Sequence, residues 1–139
     1  MTLRRLLIAP LAAAILGAAT PASAYIAING LVVQDDGQGN MFVAYQGLSG
    51  DPAFWCAVGD YVLNFRDMPS GTRIYRTSEP PRRQGQGISF SLSPENAASR
   101  TGLAVMTDGP KGSISTTTAF ALCPVRYPFG FRSGLGFFF

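Results

Sequence analysis

The sequence predicts an α+β domain: one main helix packed on a mostly antiparallel sheet of about five to six strands, stapled by one disulfide. Three observations predict it. Short β-branched and aromatic runs alternate with Gly- and Pro-containing turns along most of the chain. Only residues 53–66 carry a long apolar run at helical spacing. The two cysteines are Cys56, inside that run, and Cys123, far from it. A helix with an apolar surface covers a half-buried sheet most simply by lying across it.

The N-terminal residues are set apart from this pattern. Arg4 and Arg5 are followed by an uncharged, mostly apolar run over residues 6–19, then by Thr20-Pro21-Ala22-Ser23-Ala24. Positive charge, apolar run and small residues at the −3 and −1 positions make a cleavable secretory signal over residues 1–24, with Tyr25 as the first mature residue. An uncleaved anchor is the other reading, but a spanning helix needs about 20 apolar residues. This run is shorter and contains Pro10 and Gly17. The surroundings of Arg4-Arg5 match a twin-arginine signal poorly, and no cysteine lies nearby for lipid attachment. The expected organisation is a signal over residues 1–24, one domain over 25–124, and an aromatic, Gly-rich tail over 125–139. The expected address is the periplasm, with secretion or outer-membrane association as alternatives.

The chain has 11 basic and 8 acidic residues. Without Arg4 and Arg5 the count becomes 9 against 8, a net charge of +1. No broad positive field remains, and nucleic acid is not expected as a partner. In an exported chain, Cys56 and Cys123 most simply pair as a structural bridge. The loop it closes, roughly 68 residues, corresponds to about 4 kcal/mol in chain-entropy terms. A redox pair would want a C-x-x-C spacing, and a metal site would want histidines; the chain has neither.

Residues 25–34 are rich in Ile, Leu and Val and predict a strand. Asp35-Asp36-Gly37-Gln38-Gly39-Asn40 predicts a hairpin turn, and residues 41–45 the returning strand. Asp51-Pro52 predicts a helix start, with Asp51 as N-cap and Pro52 first in the helix. Within the helix, Phe54, Val58, Tyr61 and Phe65 form one stripe, with Trp55, Cys56, Gly59, Val62 and Leu63 beside it. Only Ala57, Asp60 and Asn64 mark a polar strip, so the helix should be buried on more than one side. Gly59 suggests close approach of a neighbour, and Cys56 a tie to a second layer. Strands are expected at residues 72–77, 88–92, 103–106 and 113–122, with a turn or short helical piece at 93–100 and a turn at 108–112.

Candidates for chemistry are few. The chain lacks histidine, which removes the commonest general base and the usual zinc ligand. No G-x-S-x-G or S-x-x-K motif occurs, and Gly109-Pro110-Lys111-Gly112-Ser113 has the wrong spacing for a phosphate loop. No catalytic residue, metal ligand or cofactor is therefore assigned. A carboxylate-based hydrolase is the enzymatic alternative; it would need two facing carboxylates in a groove. The 35–40 turn offers oxygens to a cation but lacks the EF-hand spacing. Arg73, Arg76, Arg82 and Arg83 gather around Glu79-Pro80-Pro81. They read either as a solvated, proline-stiffened loop or as an anion-binding edge for phosphate, carboxylate or acidic glycan. Strand alternation puts Arg73 and Tyr75 on one face, and Arg76 on the other beside Ile74.

Six of residues 127–139 are aromatic, Phe129, Phe131, Phe137, Phe138 and Phe139 among them. This tail reads as a segment that folds back or frays, or as a contact for a partner protein, glycan, membrane surface or second copy. Its last residues also resemble the closing strand of outer-membrane β-barrels, which need at least about eight strands. The run Ala53-Phe54-Trp55-Cys56-Ala57-Val58-Gly59-Asp60-Tyr61, with the signal and the Ser78-Glu79-Pro80-Pro81-Arg82 loop, resembles small exported alphaproteobacterial proteins of unknown function. That resemblance implies a periplasmic address and assigns no functional residue. The sequence thus leads to a small exported, non-catalytic binding or structural domain.

Overall fold

The computed structural model describes residues 23–47, 50–104 and 109–124. The element order is β1 (Ser23–Ile26), β2 (Val32–Asp35), β3 (Asn40–Val43), α1 (Asp51–Asp60), a π-helical turn (Tyr61–Phe65), β4 (Arg73–Arg76), β5 (Ile88–Ser91), β6 (Ser113–Ser115) and α2 (Thr116–Ala121). The strands form one six-stranded sheet in the order β1-β2-β3-β5-β4-β6, and every pairing is antiparallel. The fold is α+β, with the main helix packed on the sheet and Cys56 bridged to Cys123.

Three elements differ from the sequence expectation. Residues 25–34 are a hairpin, not one strand. Asn29-Gly30 reverses the chain, with Ala27 N–H donating to Leu31 O and Gly30 N–H to Ala27 O. Asn29 Oδ1 accepts from Leu31 N–H, and its Nδ2 donates to Ala53 O at 2.7 Å, fixing the turn to α1. Residues 113–122 hold only a three-residue strand before α2 begins. Ser115 stops the strand by capping the helix: its hydroxyl accepts from Thr118 N–H at 3.1 Å. Leu103 and Ala104 form no strand; residues 105 and 106 lie outside the described residues.

Helix α1 starts one residue early. Gly50 is the N-cap and Asp51 the first helical residue, with no side-chain cap. The carboxylate of Asp51 is engaged elsewhere, as shown below. At the other end the helix widens, and Arg66 N–H reaches back five residues to Tyr61 O. The wider turn breaks the 100° spacing, so Phe65 leaves the Phe54 stripe and is 54 % exposed.

The core lies between the sheet's inner face (Val33, Val43, Ile74, Ile88, Phe90, Ile114) and α1 (Phe54, Trp55, Val58, Tyr61, Val62). Trp55 meets Phe90 edge-on at 4.8 Å and donates its indole N–H to Thr101 O. The other side of α1 is covered by α2. Ala57 and Asp60, assigned to the polar strip by spacing, are buried too. A Cβ on Gly59 would lie 2.6 Å from Phe120 N and 2.8 Å from both the Ala119 carbonyl carbon and Cβ. The disulfide closes the same contact, with Cα atoms 4.7 Å apart. Gly59→Ala should therefore destabilise the fold. It gains about 1 kcal/mol of helix propensity but overpacks a backbone contact, which costs about 1–3 kcal/mol or more. Denaturant unfolding checks this; a clearly stabilised variant would contradict so close a contact.

Candidate functional site

The site is built around one carboxylate. Asp51 opens α1, next to the paired strands, because Asn29 and the apolar stripe of α1 fix the helix there. Arg76 ends β4, where alternation turns it inward with Ile74; its side chain is 1 % exposed. A guanidinium at that depth needs charge compensation and full hydrogen bonding. Its Nη1 donates to Asp51 Oδ2 at 2.6 Å and to Thr101 O at 3.0 Å, and its Nε to Ser78 O at 2.7 Å.

Arg82 approaches the same carboxylate from outside, its Nε 3.7 Å from Asp51 Oδ1. Its guanidinium lies 4.8 Å from the Phe54 ring centre and 5.3 Å from that of Tyr45, so it caps the apolar end of α1 as a cation over two rings. Its Nη1 donates to the carbonyls of Arg83 and Gln86, holding the loop in place. Glu79 ties that loop to the next, accepting from Ser99 Oγ at 2.8 Å and Ser99 N–H at 2.7 Å. These bonds hold the Glu79 carboxyl below the usual carboxylate range, and the Arg100 and Arg76 charges act in the same direction.

Between the two loops and the start of α1 lies a cleft of about 690 Å³. Pro52, Pro80, Pro81 and Leu103 give it stiff apolar walls, and Arg82 and Arg100 give it positive charge. Two guanidinium groups, those of Arg76 and Arg82, thus stand at the Asp51 carboxylate, and Arg100 lines the same cleft, its charge acting on Glu79. Of the four arginines singled out in the sequence, the structure brings Arg76 and Arg82 together. Arg73 is on the opposite face of β4, donating to the hydroxyl and carbonyl of Ser113. Arg83 is exposed on the loop surface. Arg100 was not singled out, because it sits in an aperiodic loop that only folding brings to the cleft. Phe129, Phe131, Phe137, Phe138 and Phe139 lie outside the described residues.

A second polar cluster closes the other end of α1. Asp35, buried, accepts from the Tyr61 hydroxyl and the Arg66 guanidinium, and from Gly37 N–H at 2.7 Å. Asp60, also buried, accepts from Tyr25 Oη at 3.0 Å, Ile28 N–H at 2.8 Å and Asn64 Nδ2 at 2.8 Å. Burial and the adjoining carboxylates push both phenols, Tyr25 and Tyr61, above their ordinary value. Tyr61 stacks on Phe65, and Tyr25 packs tilted against both, at 5.1–5.4 Å between ring centres. The cluster is filled by its own side chains. Asp36 instead caps the hairpin turn, accepting from the N–H groups of Gln38 and Asn40. Among the described residues, no group of three or more His, Cys, Asp or Glu could hold a metal ion. No protein family matches the chain, and no curated protein or solved structure does.

Two outcomes are expected. Arg76→Ala strands the Asp51 carboxylate and empties a buried site, and should cost about 3–5 kcal/mol. Asp51→Asn should also destabilise, and the double variant should cost less than the sum of the singles, read by denaturant unfolding. Second, Tyr25 and Tyr61 hold their protons more tightly when folded than the ordinary phenol value of 10.0. The unfolded chain then releases those protons first, so the contribution of these two phenols to stability is constant below about pH 10 and is lost above it. Tyr61→Phe should shallow that loss in alkaline unfolding and remove one late step from the phenolate absorbance titration.

Proposed function

We propose that this chain is a small exported, non-catalytic binding domain whose cleft beside the start of α1 takes an anionic group, a carboxylate or phosphate. The observation that carries this reading is the lining of that cleft: the Arg82 and Arg100 side chains between proline walls, with Asp51 already engaged by Arg76. Arginine forks match planar or tetrahedral oxyanions in geometry as well as charge. Asp51 and Arg76 are committed to each other, which leaves the rim, Arg100 above all, to meet a ligand. Among the described residues, the cleft is lined by no serine, cysteine, histidine or lysine.

Export is supported by the residue 1–24 pattern and by the disulfide, which persists in oxidising compartments. The likeness around Phe54 to Tyr61 adds the periplasm as the address. Among the described residues no helix is long and apolar enough to cross a membrane.

The test is an amide NMR titration of the disulfide-intact chain with inorganic phosphate and with succinate. Shifts should gather at Gly102, Leu103 and Ala104, and Arg100→Glu should weaken binding by about tenfold, the effect of losing one charge-assisted contact. Arg100 is exposed, so the variant should keep its fold. Absence of any shift at those amides, or unchanged binding in Arg100→Glu, would overturn the reading.

A further inference from the structure

The inner face of the sheet is covered by α1, whereas the outer face carries a second cleft of about 410 Å³. Its floor follows from register. Gln34 pairs with Phe42, Phe42 with Ser89, and Thr77 N–H bonds to Ser89 O, so Gln34, Phe42, Ser89 and Thr77 form one row across β2, β3, β5 and the end of β4. With neighbouring strands about 4.8 Å apart, the row is about 14 Å long. Asn96 rises beside it from the loop after β5.

Phe42 is unusual in such a place: an aromatic side chain, 39 % exposed, in the middle of a sheet face. It is held down by Gly87. A Cβ on Gly87 would lie 2.5 Å from Phe42 Cζ and 2.8 Å from Cε2, so the ring edge rests over a residue without a side chain. The ring is thus a preformed platform, backed by main chain on one side.

Around this platform stand the amides of Gln34 and Asn96 and the hydroxyls of Thr77 and Ser89. Among the described residues, no cation lines the cleft. Of its carboxylates, Asp35 turns inward to Tyr61 and Arg66, and Asp36 is taken up by Gln38 and Asn40. An anion would find no counter-charge here, and an aliphatic chain would leave amides unsatisfied. A pyranose matches both parts: its C–H face lies on an aromatic ring, and its rim of hydroxyls both donates and accepts, as amides do.

We propose that the outer face of the sheet is a binding site for a neutral oligosaccharide, with Phe42 as the stacking platform and Gln34, Thr77, Ser89 and Asn96 as hydrogen-bonding groups. The row accommodates two or three sugar rings. The site is independent of the cleft at Asp51, on the far side of the sheet from α1.

The experiment is an amide NMR titration of the disulfide-intact chain with cellohexaose, chitohexaose and maltohexaose. At least one should bind with a dissociation constant of about 1 mM or tighter, shifting the amides of Gln34, Phe42, Ser89 and Thr77. Phe42→Ala should weaken it by about tenfold, Phe42→Tyr should retain it, and Gln34→Ala with Asn96→Ala should weaken it by about fivefold or more. The double variant carries the test if Phe42→Ala does not fold. No binding of the three probes, shifts confined to Gly102–Ala104, or full binding by Gln34→Ala with Asn96→Ala would each overturn the proposal.

Discussion

A guanidinium buried among apolar side chains must be neutralised and fully hydrogen-bonded, and Arg76 imposes that requirement on most of this molecule. Its alternation within β4 sends it under the sheet with Ile74. There it needs an anion and at least two carbonyl oxygens, and it takes them from three separate segments: Asp51 at the head of α1, Ser78 after β4, and Thr101 in the long loop before β6. The start of the helix, the end of a strand and a loop are therefore fixed by one side chain. Trp55 strengthens the arrangement by donating to the same Thr101 carbonyl. A buried pair of this kind adds little net stability compared with apolar packing. What it supplies is position: an alternative packing of α1 along the sheet would leave a charge without a partner.

The helix itself is enclosed from both sides. Its Phe54, Val58 and Val62 surface meets the sheet, while Gly59 and Cys56 meet α2 and its trailing Cys123. The covalent bond and the closest backbone contact act at the same place, and they account for a short second helix of only six residues staying docked. Isolated helices of that length are unstable in water. The threonines that open α2 add two anchors, Thr116 Oγ1 to Thr72 O and Thr117 Oγ1 to Ser70 O.

Much of this was readable in the sequence, and the misreadings have identifiable causes. The main helix, the Asp35–Asn40 turn, the inward turn of Arg76 and the close approach at Gly59 all follow from local spacing. Residues 25–34 mislead because β-branched residues flank Asn29-Gly30 on both sides, and the turn signal is only two residues long. Thr116, Thr117 and Thr118 mislead because threonine favours strands, yet Ser115 caps a helix and the threonine hydroxyls find main-chain partners at residues 70 and 72. Helical spacing places Asp60 on a polar strip. Its partners Tyr25 and Ile28 come from the β1–β2 hairpin, which the continuous apolar pattern of residues 25–34 hides. The cleft at Asp51 was half legible: proximity in sequence grouped Arg76 with Arg82, but only tertiary structure adds Arg100 and removes Arg73.

The distribution of charge across the sheet has a physical logic of its own. Charged groups are concentrated at the two ends of α1, where buried carboxylates at one end and a buried arginine at the other must be compensated. The central outer row carries no such charge itself: the charged neighbours in its strands, Asp35 beside Gln34 and Arg76 beside Thr77, are buried on the inner face and paired there. Neutral amides and hydroxyls can occupy it without loss of stability, and solvation satisfies them when nothing is bound. Phe42 is the exception that water does not satisfy. Its ring is kept on the surface because Gly87 offers it a seat there, while the inner face below is already filled by Val33, Val43 and Ile88. The same pleat that buries the valines therefore forces residue 42 outward, and an aromatic side chain at that position gains its remaining burial only from something that lands on it.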